Sequence, residues 1–188
     1  MRKVIFFVFL SLVVSEMANS QPGRHVPISP AIRHDWDMGI VNIPEAGYGL
    51  GVLFPATVEK YNFFSLTNIT GYQFNRNIKA GLGYGVLMHD NDMLFPLFCD
   101  MRANLNSQGV VPFLEASGGV EFNPPHINND SRIFISGMLG LHFVTVTKLS
   151  TNLSAGLHIN AGGSEEKTTF IVVKLGIEIK GKRNDTLK

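Results

Sequence analysis

Between Asn77 and His89 the chain sets Ile78, Ala80, Leu82, Tyr84, Val86 and Met88 on one parity, against Lys79, Gly81, Gly83, Gly85 and His89 on the other. Successive side chains of a β-strand point to opposite faces, so this reads as a strand with one apolar face and one small or polar face. A helix is a poor alternative, because three glycines in five residues would each cost about 1 kcal/mol relative to Ala. Glycine does have a use on the inner face of a small barrel, where it leaves room for long side chains arriving from across the lumen. The stretch before it, from Tyr61, reads as a second long strand, and Asn75-Arg76-Asn77 forms the tight turn between them, since Asn tolerates the left-handed conformation.

The pattern recurs along the chain. Glu45 to Phe54 sets Tyr48, Leu50, Val52 and Phe54 against Gly47, Gly49 and Gly51. Tyr61 to Phe74 carries apolar residues on both parities, so its register stays open and a bulge is expected there. Further strands follow over Met93 to Leu105, Val111 to Asn123, Arg132 to Phe143, Ser150 to Ala161 and Thr169 to Lys180. The connections between them are His89 to Asp92, Asn106 to Gly109, Pro124 to Ser131, a turn around Thr147-Lys148, and Gly162 to Lys167. Eight such strands make an antiparallel meander, and closing it removes the edges that invite aggregation.

Two closed barrels compete. A soluble lipocalin-like barrel turns its apolar face inward around a greasy ligand, whereas an outer-membrane barrel turns it toward lipid and fills the lumen with polar residues. The non-apolar face decides. It is rich in glycine (Gly47, Gly49, Gly51, Gly81, Gly83, Gly85, Gly119, Gly140, Gly156, Gly176), which suits a cramped interior and not a solvated exterior. Its charges are few and balanced, Lys79, Arg102, Arg132 and Lys174 against Asp100, Glu115, Glu121 and Glu178, where a soluble exterior carries more. Strand length agrees, since a tilted membrane strand needs about 9–11 residues. The expected fold is an all-β, eight-stranded antiparallel up-and-down transmembrane β-barrel.

The rest of the chain fits export. Arg2 and Lys3, the apolar run Val4 to Val14, and Ala18-Asn19-Ser20 form the three parts of a cleavable signal peptide over residues 1–20. The apolar run is too short to span a bilayer of roughly 30 Å as a helix. Residues 21–44 read as an extended segment leading to a barrel over 45–180, with Trp36 to Ile43 able to pair as an extra strand, and 181–188 as a charged tail. The net charge of +1 includes Arg2, Lys3 and Glu16, so the mature chain is near neutral and lacks the basic patch that nucleic acid requires. The single cysteine, Cys99, allows no internal disulfide and does not stand at the cleavage point, as a lipoprotein anchor would require.

Gly71-Tyr72-Gln73-Phe74-Asn75 followed by Ala80-Gly81-Leu82-Gly83-Tyr84-Gly85, then Leu94 to Arg102, then Pro112-Phe113, all behind a signal peptide, resemble the small eight-stranded outer-membrane β-barrel proteins of Gram-negative bacteria. The likeness covers about Glu45 to Lys180. It implies outer-membrane localisation, contact with outer-membrane lipid and insertion by the outer-membrane assembly machinery, and it implies no single activity and names no extracellular partner. Members commonly end the last strand on an aromatic residue, where this chain has Ile179 and Lys180 followed by its tail.

Chemistry is sparse. His25, His34, Asp35 and Asp37 match no metal-site spacing, and there is no phosphate loop or zinc signature. A lipid-modifying enzyme would need a serine, a histidine and a carboxylate together near lipid, yet His142, His158 and Ser154 fall on the lumen parity. No catalytic, cofactor-binding or metal-binding residue is therefore expected, and no cofactor. Eight strands leave an interior that side chains fill, so a porin-like channel is not expected either. The residues that matter are lumen charges: Asp100, Arg102, Glu115, Glu121, Lys174 and Glu178 share one parity on the fourth, fifth and eighth strands and are expected to pair across the interior.

Overall fold

The computed structural model describes residues 38–52, 62–89, 93–105, 110–123, 131–146, 149–161 and 168–181. All lie within the unit Ile32–Lys188, and the unit Met1–Ala31, with the expected signal peptide and His25, lies outside the described residues. His34, Asp35, Asp37 and residues 182–188 of the tail lie outside them too. Eight strands follow in chain order: β1 (Gly39–Val52), β2 (Asn62–Gln73), β3 (Ile78–Met88), β4 (Met93–Asn104), β5 (Val111–Phe122), β6 (Arg132–Val146), β7 (Leu149–Ala161) and β8 (Thr168–Lys180). Each pairs antiparallel with its neighbours in sequence, and β1 pairs with β8, which closes an up-and-down barrel.

Which face is which follows from exposure. Leu82, Leu97, Ile135, Leu139, Leu157 and Leu175 point outward and are exposed, while the opposite parity points inward and is buried. The alternation read from the sequence is thus the alternation of the wall, apolar outside and polar or small inside.

Four features differ from the sequence reading. First, β1 begins at Gly39, ahead of Glu45, so residues expected in the extended segment close the barrel against both β2 and β8. They lengthen β1 and add no extra strand. Outward-facing Asn42 and Pro44 break the apolar alternation there, which hid the strand, although Val41 and Ile43 are buried inside. Second, β2 has no bulge. It holds one register from Asn62 to Gln73 with Phe63 and Ile69 inward and Phe64 and Leu66 outward, because both sides of this wall accept apolar groups. The register shift lies instead between Val144 and Val146, on β6 where it pairs with β7, and β6 runs beyond Phe143 to Val146.

Third, the glycines make room mainly for neighbours on the adjoining strand. Gly49 faces Phe63, Gly83 faces Phe98 and Gly140 faces Phe113 as direct cross-strand partners. A Cβ at these glycines would lie 2.2–2.3 Å from the paired ring. Each phenylalanine ring therefore occupies the space that the glycine opposite it leaves open. Fourth, the turn after β2 is held by Asn75 in a way its backbone tolerance did not suggest: its side-chain Oδ1 accepts hydrogen bonds from the backbone N–H of Asn77 and of Ile78, both at 2.8 Å. That is an Asx turn, and it ties the turn to the first residue of β3.

Candidate functional site

The inward parity gathers buried charged side chains from β1, β3, β4, β5 and β8 into the lumen. Arg102 on β4 is the hub. Its Nη2 donates to Glu45 Oε1 on β1 at 2.8 Å, and its Nε donates to Asp100 Oδ1 at 2.9 Å. Glu115 Oε2 on β5 lies 3.7 Å from Nη2. Lys174 on β8 reaches the same group from the other side, with Nζ donating to Glu115 Oε1 at 2.7 Å and standing 3.8 Å from Glu45 Oε2. Arg102 also lies over the ring of Phe113, 5.7 Å from its centroid. Its side chain is 2% exposed, so these contacts are made almost without solvent screening.

Geometry explains how four strands meet at one guanidinium. β4 and β5 are neighbours and align Arg102 with Glu115 as direct cross-strand partners. β1 and β8 are neighbours at the closing seam and align Gly47 with Lys174. A barrel of this size brings the two strand pairs face to face, and Gly47 and Gly176 leave the width that Lys174 and Glu45 occupy: a Cβ at Gly176 would stand 2.9 Å from Glu45 Cγ, and one at Gly47 3.3 Å from Lys174 Cγ.

Two smaller groups flank this network. Toward the end that carries the Asn75 turn, Lys79 on β3 donates to Glu178 Oε2 on β8, and His142 Nδ1 lies 3.6 Å from the same oxygen. His142 Nδ1 also stands 2.6 Å from Asn152 Oδ1. Toward the other end, Glu121 accepts from Asn160 Nδ2 at 3.0 Å and meets His158 Nε2 at 3.1 Å. Beyond it the interior turns apolar: His158 stacks on Phe134, and Phe63 meets Phe170 edge-on at 5.0 Å. A cavity of about 30 Å³ lies between Ser65, Ser117, Glu121, His158 and the neighbouring phenylalanines, room for about one or two water molecules.

Of the residues singled out from sequence, Asp100, Arg102, Glu115 and Lys174 come together in one network. Glu178 and Glu121 do not join it, and each is taken up by a different partner. The sequence reading missed Glu45 as a lumen charge, because it was placed at the first residue of its strand. Its parity with Gly47 and Gly49 was the available signal. Ser154, weighed as a nucleophile, is buried in the lumen, with Glu115 Oε2 at 3.5 Å and Met138 Sδ at 3.8 Å as acceptors.

The sequence matches no protein-family model and no curated protein. Among solved structures, the chain is similar to Neisserial surface protein A (NspA), with a TM-score of 0.59 and 13% identity over 77% of this chain and 99% of that one. It is also similar to the N-terminal β-barrel domain of Pseudomonas aeruginosa OprF, with a TM-score of 0.46 and 17% identity over 75% of this chain and 98% of that one. At 13% identity, the likeness to NspA is one of fold.

Proposed function

We propose that the chain is an integral outer-membrane β-barrel, exported by a signal in residues 1–20, that serves a structural or binding role and keeps its lumen closed by the ion-paired network around Arg102. The observation that carries this reading is the direction of the two faces. Large apolar side chains are exposed on every strand, among them Leu50, Leu66, Leu82, Leu97, Leu114, Leu139, Leu157 and Leu175. A water-soluble monomer does not expose an apolar surface that runs around its whole girth, whereas lipid requires one. The barrel likeness to NspA supports the same reading.

The lipocalin-like alternative needs an apolar interior, and here the interior holds Glu45, Lys79, Asp100, Arg102, Glu115 and Glu178. The enzyme alternative needs a serine and a histidine at the lipid side, and Ser154, His142 and His158 are buried inside. Outer-membrane lipid is the partner that the wall fits, and the barrel assembly machinery of that membrane is the partner that would insert it. Membrane fractionation with a heated-versus-unheated gel tests the reading. The expected result is recovery in the outer-membrane fraction with a band whose mobility shifts on heating, and recovery in the soluble periplasmic fraction would overturn it.

A further inference from the structure

The outer wall is not apolar everywhere. Along β4 to β8 the described outward side chains are apolar except for Cys99, Thr151 and Thr169, with both threonines near strand ends. On β1 and β2, by contrast, Asn42, Asn68 and Thr70 point outward within the wall. Asn68 Nδ2 donates to Asn42 Oδ1 at 3.0 Å and to Tyr84 Oη of β3 at 3.3 Å, and Thr70 Oγ1 donates to Asn42 Oδ1 at 3.2 Å. Exposed apolar residues flank this cluster on both sides, Ile40 and Tyr72 toward the Asn75 turn and Tyr48 and Leu66 toward the other end. The cluster therefore sits inside the apolar belt and not at its rim.

Beside it the wall is indented. A groove of about 490 Å³ is lined by Pro44, Ala46, Leu66, Asn68, Tyr84 and Leu175, where short side chains stand between long ones. Pro44 has no N–H to give, and the ladder between β1 and β8 lapses between Asn42 and Glu45.

The hydrogen-bond inventory says what fits. Asn68 uses both hydrogens of its amide and Asn42 Oδ1 accepts twice. Among the described residues, this leaves the Asn42 amide hydrogens and the Tyr84 hydroxyl hydrogen to donate, and Asn68 Oδ1 and Thr70 Oγ1 to accept. Acyl chains offer neither donors nor acceptors. A patch with spare donors and spare acceptors side by side is complementary to itself after a twofold rotation, and small residues beside it let two walls approach closely. We propose that this face is the docking surface for a second copy of the chain, two barrels meeting wall to wall across β1 and β2. The inference rests on the reading that the wall meets lipid.

The test uses the mature chain refolded into phosphatidylcholine vesicles, in a Cys99→Ser background, with Ala46→Cys on the proposed face and Leu157→Cys on β7 as the control. Oxidation is expected to give a covalent dimer for Ala46→Cys and little for Leu157→Cys. Adding Asn42→Leu and Asn68→Leu is expected to lower that cross-linking about tenfold or more, with the heat-shifted band of the folded barrel retained. Thr70→Val, a smaller change that keeps the shape of the side chain, is expected to lower it in the same direction. Equal cross-linking from both walls, cross-linking undiminished in the leucine variants, or a folded barrel that stays monomeric would overturn the inference alone. A monomer that retains one lipid molecule lost from the leucine variants would also overturn it, and would assign the patch to lipid. A chain that stays folded in water and does not enter vesicles would overturn the membrane reading and this inference with it.

Discussion

Arg102 holds three carboxylates, from Glu45, Asp100 and Glu115, so its removal leaves negative charges facing one another with Lys174 as the remaining cation. Breaking a buried pair by deleting one partner costs more than the pair is worth, because the other charge remains desolvated. Arg102→Ala is therefore expected to destabilise the barrel by about 3–5 kcal/mol, read from denaturant titration in vesicles. A variant as stable as wild type would mean that water fills the lumen. Glycine makes a second residue-scale prediction. A Cβ at Gly119 would stand 2.1 Å from the carbonyl oxygen of Leu97, a backbone atom that cannot swing aside as a side chain would. Gly119→Ala is expected to cost about 1–3 kcal/mol in the same titration, whereas Gly137→Ala, whose Cβ would meet nothing within 4 Å, is expected to be near neutral.

A strand in this barrel is a two-sided object, and the consequence of a substitution depends on which side it falls. Leu82 on β3 and Leu157 on β7 are 61% and 50% exposed, both on the outward parity. Leu82→Lys and Leu157→Lys are each expected to cost about 2–4 kcal/mol if the position lies near mid-bilayer, measured by the same unfolding in lipid. Wild-type stability of both would show that this face does not meet lipid. All eight strands were readable from the residues, β2 without a clean alternation to fix its faces, and seven of them lie within a few positions of the expected ends. β1 was the exception. Its first residues carry Asn42 and Pro44 where the pattern calls for apolar side chains, and both now belong to the polar and indented face that distinguishes this side of the wall.

Closure gives the whole molecule properties that no strand has alone. With the network at Arg102 and the pair of Lys79 with Glu178 spanning the interior, the barrel is expected to show no steady conductance in a planar bilayer. A wild-type barrel that conducts steadily would show the lumen to be open. The direction of the barrel is testable as well. Barrels of this kind carry their longer connections outside and their short turns in the periplasm. The connections after β1, β3, β5 and β7 are accordingly expected to face out, and the Asn75 turn with the connections after β4 and β6 to face the periplasm. An epitope inserted at Asn128 is expected to be labelled on intact cells and one at Gln108 is not, and the reverse result would invert the barrel.

Strand number, the two faces and the direction of the apolar side were legible in the residues themselves, because a period of two is a local property and glycine on one parity already tells of a crowded interior. The lumen parity of Asp100, Arg102, Glu115, Glu121, Lys174 and Glu178 was local in the same sense. What was not local is which charge meets which. Glu45 and Arg102 lie 57 positions apart, and Lys79 and Glu178 lie 99 apart. Their meeting depends on the register of every intervening strand pair and on the closure of β1 against β8. Only that closure could join Glu178 to Lys79 and leave Glu121 to His158, and only the folded wall could gather Asn42, Asn68 and Thr70 into one patch, since each of them alone reads as an interruption of the pattern.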